Sequence, residues 1–408
     1  MNQEKKKILL VVSTLNTGGA QRAFANMSME FSAKWECDFL LNDAENITYP
    51  YSGHIIDLGM KPTEDKTGIS YQLSVLVRRY LKLRKLKQSG DYVACISALT
   101  SANAVNVLTG NQHCKTVISI RTFMSKMLQD ERGYKRWLKK WTTRCLANKA
   151  EHVVAVSESA RQDLVQNFGV KPEKAATIYN GYILDNIRSL AAEALSEEQL
   201  NWFGQDVKTI VSVGRLGEEK GHDHLIRAFY VVKEKFPNVK LLILGEGEEE
   251  PKLNCLISKY HIDEDVILCG FVKNPYKIVS KCDLFVLPSH YEGFPNALAE
   301  SLCLGVPVIA TDCDSGAREI LAPDTEISHK ITHGFEEAKY GILCPVCESG
   351  TDCSDEEICA EENDMAEAMI HMLQNQDVYR HYQEISEERA EQLSMKNAMR
   401  QWIDLIER

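Results

Sequence analysis

No stretch of eighteen apolar residues occurs anywhere in the 408-residue chain, so no membrane-spanning helix is expected. An export signal is lacking too. The N-terminal MNQEKKKILLVVSTL puts three lysines ahead of an apolar run, but the run is short. NTGGAQ then turns straight into an amphipathic helix with no small-residue cleavage site, so the segment reads as the first buried strand of a mature domain. Prolines are few, at 11, and with 44% hydrophobic and 26% charged residues the composition is globular. The chain is too long for one ordinary core, and two domains are expected. With no export signal, the 13 cysteines, scattered through core-like segments such as YVACISAL and VILCGF, read as reduced thiols of a cytoplasmic protein. Cys344, Cys347, Cys353 and Cys359, in CPVCESGTDCSDEEIC, form the one cluster. Its CxxC half has metal-ligand spacing, but the second pair is loosely spaced and no knuckle glycine follows. An acidic surface insertion is therefore expected, and no metal site is assigned. Segment 352–364 carries seven carboxylates and is expected to form a mobile loop.

The net charge of −11 is unevenly distributed. Residues 1–180 hold 26 Lys/Arg against 16 Asp/Glu, a net of +10, and residues 181–408 hold 21 against 42, a net of −21. Such asymmetry suggests that the first half faces an anionic surface or ligand. The densest basic segment, 121–149, has nine basic residues, two acidic ones and two tryptophans. Trp137 and Trp141 stand four apart and share one helix face. That combination fits an anionic membrane surface, the alternative being a solvated helix with buried tryptophans. Nucleic acid is disfavoured because no reading motif accompanies the charge.

KILLVVSTL, CDFLLN, HIIDLG, DYVACISAL, TVISIR and HVVAVS read as buried strands, with helical segments between several of them. The pattern restarts after about residue 183 with TIVSVGRLG, VKLLILGEG, DVILCGF, DLFVLPS, GVPVIAT and YGILCPV. Continuous apolar strands alternating with helices imply parallel sheets covered on both faces. The expected fold is α/β, with two doubly wound Rossmann-like domains facing across a cleft, which is the natural place for a ligand. The Asn-Gly of YNGYILDN marks the link, and the last stretch, from DVYRHYQ onward, is helical with no strand to follow.

Candidate site residues sit at strand ends in the second half. After VSVG, Arg215 and Lys220 flank a short loop ahead of a helix, an arrangement suited to a diphosphate, although surface charge around a turn would look the same. His222 and His224 read as capping or surface residues. Gly245, in LGEG, lets backbone approach a ligand or simply makes a tight turn. GFVKN, with Val272, ends another strand, and its backbone is suited to a nucleobase edge. In HYEGFPNALAESLCLGVPVIAT, Phe294, Pro295 and Asn296 open a helix whose N-terminal dipole favours anions. Glu292 precedes that helix and Glu300 lies about one turn in. A carboxylate accepts two hydroxyls at once, so the pair suits the two sugars of one nucleotide sugar.

With these motifs in view, the sequence resembles retaining glycosyltransferases of family four, which have the GT-B fold. GRLGEEKG, LGEGEEE, GFVKN, FVLPSHYEGFPNALAESLCLGVPVIAT, SGAREIL and YGILCPV carry the resemblance, which covers essentially the whole chain. It implies an acceptor-binding domain over 1–183 plus a returning helix at about 388–408, and a donor-binding domain over 184–387. It implies that Arg215 and Lys220 neutralise the leaving diphosphate and that Glu292 contacts the transferred sugar. Glu300 would bind the ribose diol, and the amides of Gly293, Phe294 and Asn296 around Pro295, with those of Gly18 and Gly19, would hold phosphate and sugar oxygens. Many relatives carry a His at the end of the fifth strand, where TVISIRTF places Arg121, which cannot act as a base and is suited to an acceptor diphosphate or to the donor. Similar VISIR-type segments occur in relatives that act on polyprenyl-diphosphate-linked glycans, and basic helices expected at 78–87 and 132–149 point the same way. No DxD motif sits at a strand end, so no metal cofactor is expected, and the co-substrate is a nucleotide sugar, UDP rather than GDP. The implied function is hexose or N-acetylhexosamine transfer onto a glycan acceptor at the inner face of the cytoplasmic membrane, in capsule, lipopolysaccharide or lipid-linked oligosaccharide synthesis. A UDP-sugar epimerase and a non-catalytic nucleotide-sugar-binding partner of a membrane glycan complex are the alternatives.

Overall fold

The computed structural model describes residues 5–16, 18–61, 68–110, 113–129, 131–204, 206–314, 316–348 and 357–408. The chain forms two compact units, Met1–Gly181 with Ser394–Arg408, and Tyr182–Leu393.

In the first unit, β1 (Lys7–Val11), β2 (Glu36–Leu41), β3 (His54–Asp57), β4 (Tyr92–Ala98), β5 (Lys115–Ile120), β6 (His152–Ala155) and β7 (Ala175–Thr177) form a parallel sheet in the order β3-β2-β1-β4-β5-β6-β7. In the second unit, β8 (Lys208–Val213), β9 (Val239–Leu244), β10 (Val266–Leu268), β11 (Leu284–Leu287), β12 (Val308–Thr311), β13 (Glu336–Ala338) and β14 (Gly341–Cys344) run β10-β9-β8-β11-β12-β14-β13. Only β13 is antiparallel there. Helices cover both faces, so strand residues such as Ile8, Leu9, Leu10 and Val11 have no exposed surface, and the strands read as unbroken apolar runs. Each sheet reverses its order beside its first strand, at β1/β4 and at β8/β11, and the carboxyl ends there are where doubly wound sheets bind ligands.

Three-residue edge strands β7 and β13, with sequences AAT and EEA, were not anticipated; neither has an apolar run to betray it. The C-terminal stretch is two helices, Gln376–Gln392 and Met395–Glu407, rather than one. The second packs on the helix Gly19–Phe31, with Trp402 edge-on to Phe31. At Gly181 a Cβ would sit 2.6 Å from the Met395 Cα, so this backbone crossing requires glycine.

Two sequence readings are corrected. Among the described residues eleven cysteines are free, but Cys255 is disulfide-bonded, against the expectation of thirteen reduced thiols. The basic helix Ile69–Gln88 does not present all its cations to solvent: Arg79 and Lys87 are 1% and 4% exposed. Lys87 Nζ uses all three hydrogens inside, on Asn106 O (2.9 Å), Gly110 O (2.7 Å) and Thr116 Oγ1 (2.7 Å). On the helix Gly133–Lys149 the tryptophans are not buried. Trp137 and Trp141 are 65% and 51% exposed and stack with centroids 6.3 Å apart, as their four-residue spacing predicts. Among the described residues no helix is long and apolar enough to cross a membrane.

Candidate functional site

The second unit gathers most of the sequence-predicted residues at the carboxyl ends of its central strands. Past β8 the chain bends through Gly214–Gly217, makes a one-turn 3-10 helix at Glu218–Lys220 and enters the helix His222–Lys235. Gly221 takes a left-handed φ of 63°, and a Cβ there would lie 2.3 Å from Pro288 O, so only glycine lets this loop lie against the end of β11. Gly245, after β9, is equally constrained: a Cβ would lie 1.8 Å from Gly214 O. Backbone therefore crowds in around the end of β8, and side chains are kept out.

Two cations leave this loop, and each meets a carboxylate. Lys220 Nζ lies 2.7 Å from Glu292 Oε1, which also accepts from Ser289 Oγ at 2.9 Å. Burial alone would pull the Lys220 ammonium down, but the Glu292 carboxylate outweighs it and holds it above the ordinary lysine range. Arg215, with 59% of its side chain exposed, contacts Glu219 at 2.9 Å and Glu248 at 3.5 Å. Sequence spacing does not show the Lys220 pairing, since Glu292 is 72 residues away; Glu219 stands four residues after Arg215 but is not among the sequence-predicted site residues. His222 and His224 are both buried rather than on the surface. His222 is pushed down to about 4 by burial, with the Lys220 charge adding to the effect, so it is neutral beside that lysine. His224 Nδ1 meets Glu362 Oε1 at 2.7 Å, a contact that belongs to the packing beneath the site.

After β11 the chain runs Pro288–Pro295 and starts the helix Asn296–Cys303. Phe294 is buried and Gly293 half-buried ahead of it. Pro295 is the N-cap residue, and Asn296 is the first helical one. Asn296 Oδ1 accepts from the Tyr182 hydroxyl at 2.7 Å, a partner not foreseen from the sequence. Glu300, in the middle of this helix, is 7% exposed, whereas Glu292 stands on the loop before it. Below them Arg318 grips Asp312 through Nε (3.1 Å) and Nη2 (2.8 Å), and Thr311 Oγ1 donates to Ser289 O at 2.5 Å. The Thr311 bond holds the loop carrying Glu292 to the end of β12. Val272 follows β10 and is half-buried.

Gly18 and Gly19 lie elsewhere, in the first unit, where Gly18 caps the helix Gly19–Phe31 with φ 99°. Arg121 follows β5 in that unit, and its guanidinium donates to Asn180 Oδ1. The cysteine cluster is incompletely described, since Cys353 lies outside the described residues. Cys347 and Cys359 share a thiol–thiol hydrogen bond, and among the described residues no group of three or more His, Cys, Asp or Glu has metal-binding geometry.

Residues 17–186 match the family model described as Glycosyltransferase Family 4, and residues 196–330 match Glycosyl transferases group 1. An uncharacterised glycosyltransferase of Methanocaldococcus jannaschii is 36% identical over 261 residues, 63% of this chain and 64% of that one, so the match spans somewhat under two thirds of that relative. The N-acetylgalactosamine-N,N'-diacetylbacillosaminyl-diphospho-undecaprenol 4-alpha-N-acetylgalactosaminyltransferase of Campylobacter jejuni is 34% identical over 325 residues, 78% of this chain and 84% of that one. Among solved structures, Anabaena HepE in complex with UDP and glucose superposes with a TM-score of 0.72 at 18% identity, covering 98% of this chain and 99% of that one.

Proposed function

The chain belongs to glycosyltransferase family 4, with the two-domain GT-B fold, and on that premise we propose that it moves an N-acetylhexosamine or hexose from a UDP-sugar to a polyprenyl-diphosphate-linked glycan, with retention and without a metal ion. The observation that carries this reading is the grouping of Lys220, Glu292 and the Glu300-bearing helix at the ends of β8 and β11.

Departure of a nucleoside diphosphate builds negative charge on the phosphates and positive charge at the anomeric carbon. Lys220, held protonated by Glu292, and Arg215 are the cations that stabilise the leaving group, and the start of the helix Asn296–Cys303 adds its dipole. Arg215 exchanges its more distant partner, Glu248, for phosphate. Glu300 accepts both ribose hydroxyls, and Glu292 holds a hydroxyl of the sugar being transferred. Gly245, Val272 and the backbone N–H groups of Gly293, Phe294 and Asn296 complete the donor site in the second unit. No enzymic nucleophile is assigned in this reading, which takes the step as same-face attack with the leaving phosphate accepting the acceptor's proton. UDP as carrier is supported by the nucleotide bound to the Anabaena neighbour, and the lipid-linked acceptor by the diphospho-undecaprenol substrate in the Campylobacter relative's name. Arg121 is assigned to the acceptor diphosphate.

The test is radiolabel transfer from a panel of UDP- and GDP-sugars to organic-soluble lipid acceptors. Label moving from a UDP-sugar to the organic phase is expected; label moving only from GDP-sugars, or UDP-sugar interconversion without transfer, contradicts the proposal.

A lipid-embedded acceptor also gives the exposed indoles a use. Trp137 and Trp141 lie among Lys135, Arg136, Lys139, Lys140 and Arg144 on one helix. Such a helix docks on anionic lipid through cations worth about 1 kcal/mol each. Withdrawing two large apolar side chains costs about 3 kcal/mol, roughly a hundred-fold in partitioning. Trp137→Ser/Trp141→Ser is accordingly expected to lose co-sedimentation with phosphatidylglycerol vesicles by about that factor. Unchanged sedimentation would remove the helix from the interface.

A further inference from the structure

The first unit contains a cavity of about 360 Å³ that none of the assigned residues lines. It lies at the carboxyl ends of three neighbouring strands: Thr14 follows β1, Asn42 and Asp43 follow β2, and Ser101 stands one residue into the helix Thr100–Leu108 that follows β4. Its fourth wall is the first half of the helix Ile69–Gln88, which contributes Tyr71 and Val75. The volume is at the lower end of the roughly 300–1,000 Å³ usual for small-molecule sites.

Behind the lining sits Arg79, 1% exposed and without a carboxylate partner among the described residues. Burial drags its guanidinium down to about 10. Its Nε and Nη2 donate to Asn42 Oδ1 at 3.1 and 2.5 Å, and its Nη1 donates to Ser101 Oγ at 3.0 Å. A buried cation held only by neutral groups is costly, and a packing role alone would be met by an apolar side chain. What Arg79 does achieve is to orient two lining groups. With Oδ1 taken twice, the Asn42 amide has one orientation, and both Nδ2 hydrogens are left for a ligand. With Ser101 Oγ accepting from Arg79, its own hydrogen is available as a donor. The other lining groups are set the opposite way. Thr14 Oγ1 gives its hydrogen to Asn16 Oδ1 at 2.7 Å, and the Tyr71 hydroxyl gives its hydrogen to Met60 O at 2.7 Å, so both oxygens can only accept. Asp43 Oδ1 accepts from Glu45 N at 2.9 Å, and the rest of that carboxylate is a further acceptor.

The cavity thus has fixed donors (Asn42 and Ser101) interleaved with fixed acceptors (Thr14, Tyr71 and Asp43), and Met60, Val75 and Leu76 as an apolar wall. That combination fits a sugar ring, whose hydroxyls donate and accept and whose C–H face is apolar. It suits a phosphate poorly, because an anion that is mainly an acceptor would meet the Asp43 carboxylate and the acceptor oxygens of Thr14 and Tyr71. We propose that this cavity binds one neutral sugar ring of the glycan acceptor, with Asn42 and Ser101 donating to it and Arg79 acting as their positioning residue. The proposal rests on the transferase reading above.

Saturation-transfer NMR on the full chain tests it, with neutral hexoses, N-acetylhexosamines and their disaccharides as probes and inorganic pyrophosphate as competitor. At least one neutral saccharide is expected to bind, to be weakened ten-fold or more by Val75→Trp, which fills the cavity, and to be indifferent to pyrophosphate. UDP titration of the variant serves as the folding control. Should Val75→Trp fail to fold, Thr14→Val keeps the volume, removes one acceptor and is expected to weaken the saccharide about ten-fold, the effect of one lost hydrogen bond. No binding by any neutral saccharide, binding untouched by the folded variants, or displacement by pyrophosphate overturns the proposal. Failure of the transferase reading shows differently, as absence of UDP binding in the wild-type chain.

Discussion

Glu300→Ala is expected to lose about two to four orders of magnitude in kcat/KM for the donor. The estimate follows from two charge-assisted hydrogen bonds to a ribose diol, each worth about 1.5–3 kcal/mol, removed from a side chain that is 7% exposed and so shielded from competing water. Glu300→Gln keeps the shape and one acceptor and should fall between the two, and ribose-lacking analogues should lose little further in the alanine variant. Donor kinetics check this directly. Activity of Glu300→Ala within a few-fold of wild type would remove Glu300 from the site.

Lys220→Met is expected to lower kcat by about 10²–10³, the usual consequence of deleting one preorganised charge from a leaving-group site. The same change strands the Glu292 carboxylate, which keeps only Ser289 among its described side-chain partners, so the variant will also be less stable. The double variant Lys220→Met/Glu292→Gln separates the two effects. Removing both charges eliminates the stranded carboxylate, and the melting temperature should recover toward wild type while kcat does not. Recovery of both would make the pair a structural strut and would end its catalytic assignment.

The sequence makes the sheets legible because both faces of each sheet are covered, so every long strand is a continuous apolar run such as KILLV, YVACISA or VKLLIL. Its limits follow from the same physics. AAT and EEA strands at the sheet edges have too little apolar surface to be seen. Strand ends reveal where Arg215, Lys220, Glu292 and Glu300 lie along the chain, but pairing is a matter of distance in space. Arg215 against Glu248, and Lys220 against Glu292, appear only once β8, β9 and β11 are laid side by side, whereas Arg215 against Glu219 is a local pair four residues apart. The sugar-shaped cavity is still less visible, since its walls come from the ends of β1, β2 and β4 and from a helix read as merely basic. In that helix Arg79 and Lys87 face inward while the other cations face outward, a distinction that composition does not carry.

The most direct test is a calorimetric titration of UDP into the purified chain, with EDTA present and then with Mg²⁺ restored. Saturable one-site binding in EDTA, changed less than about two-fold by Mg²⁺ and abolished by Glu300→Ala, is the result a metal-independent UDP site predicts. Binding that appears only when Mg²⁺ is present, or that Glu300→Ala leaves intact, would contradict it.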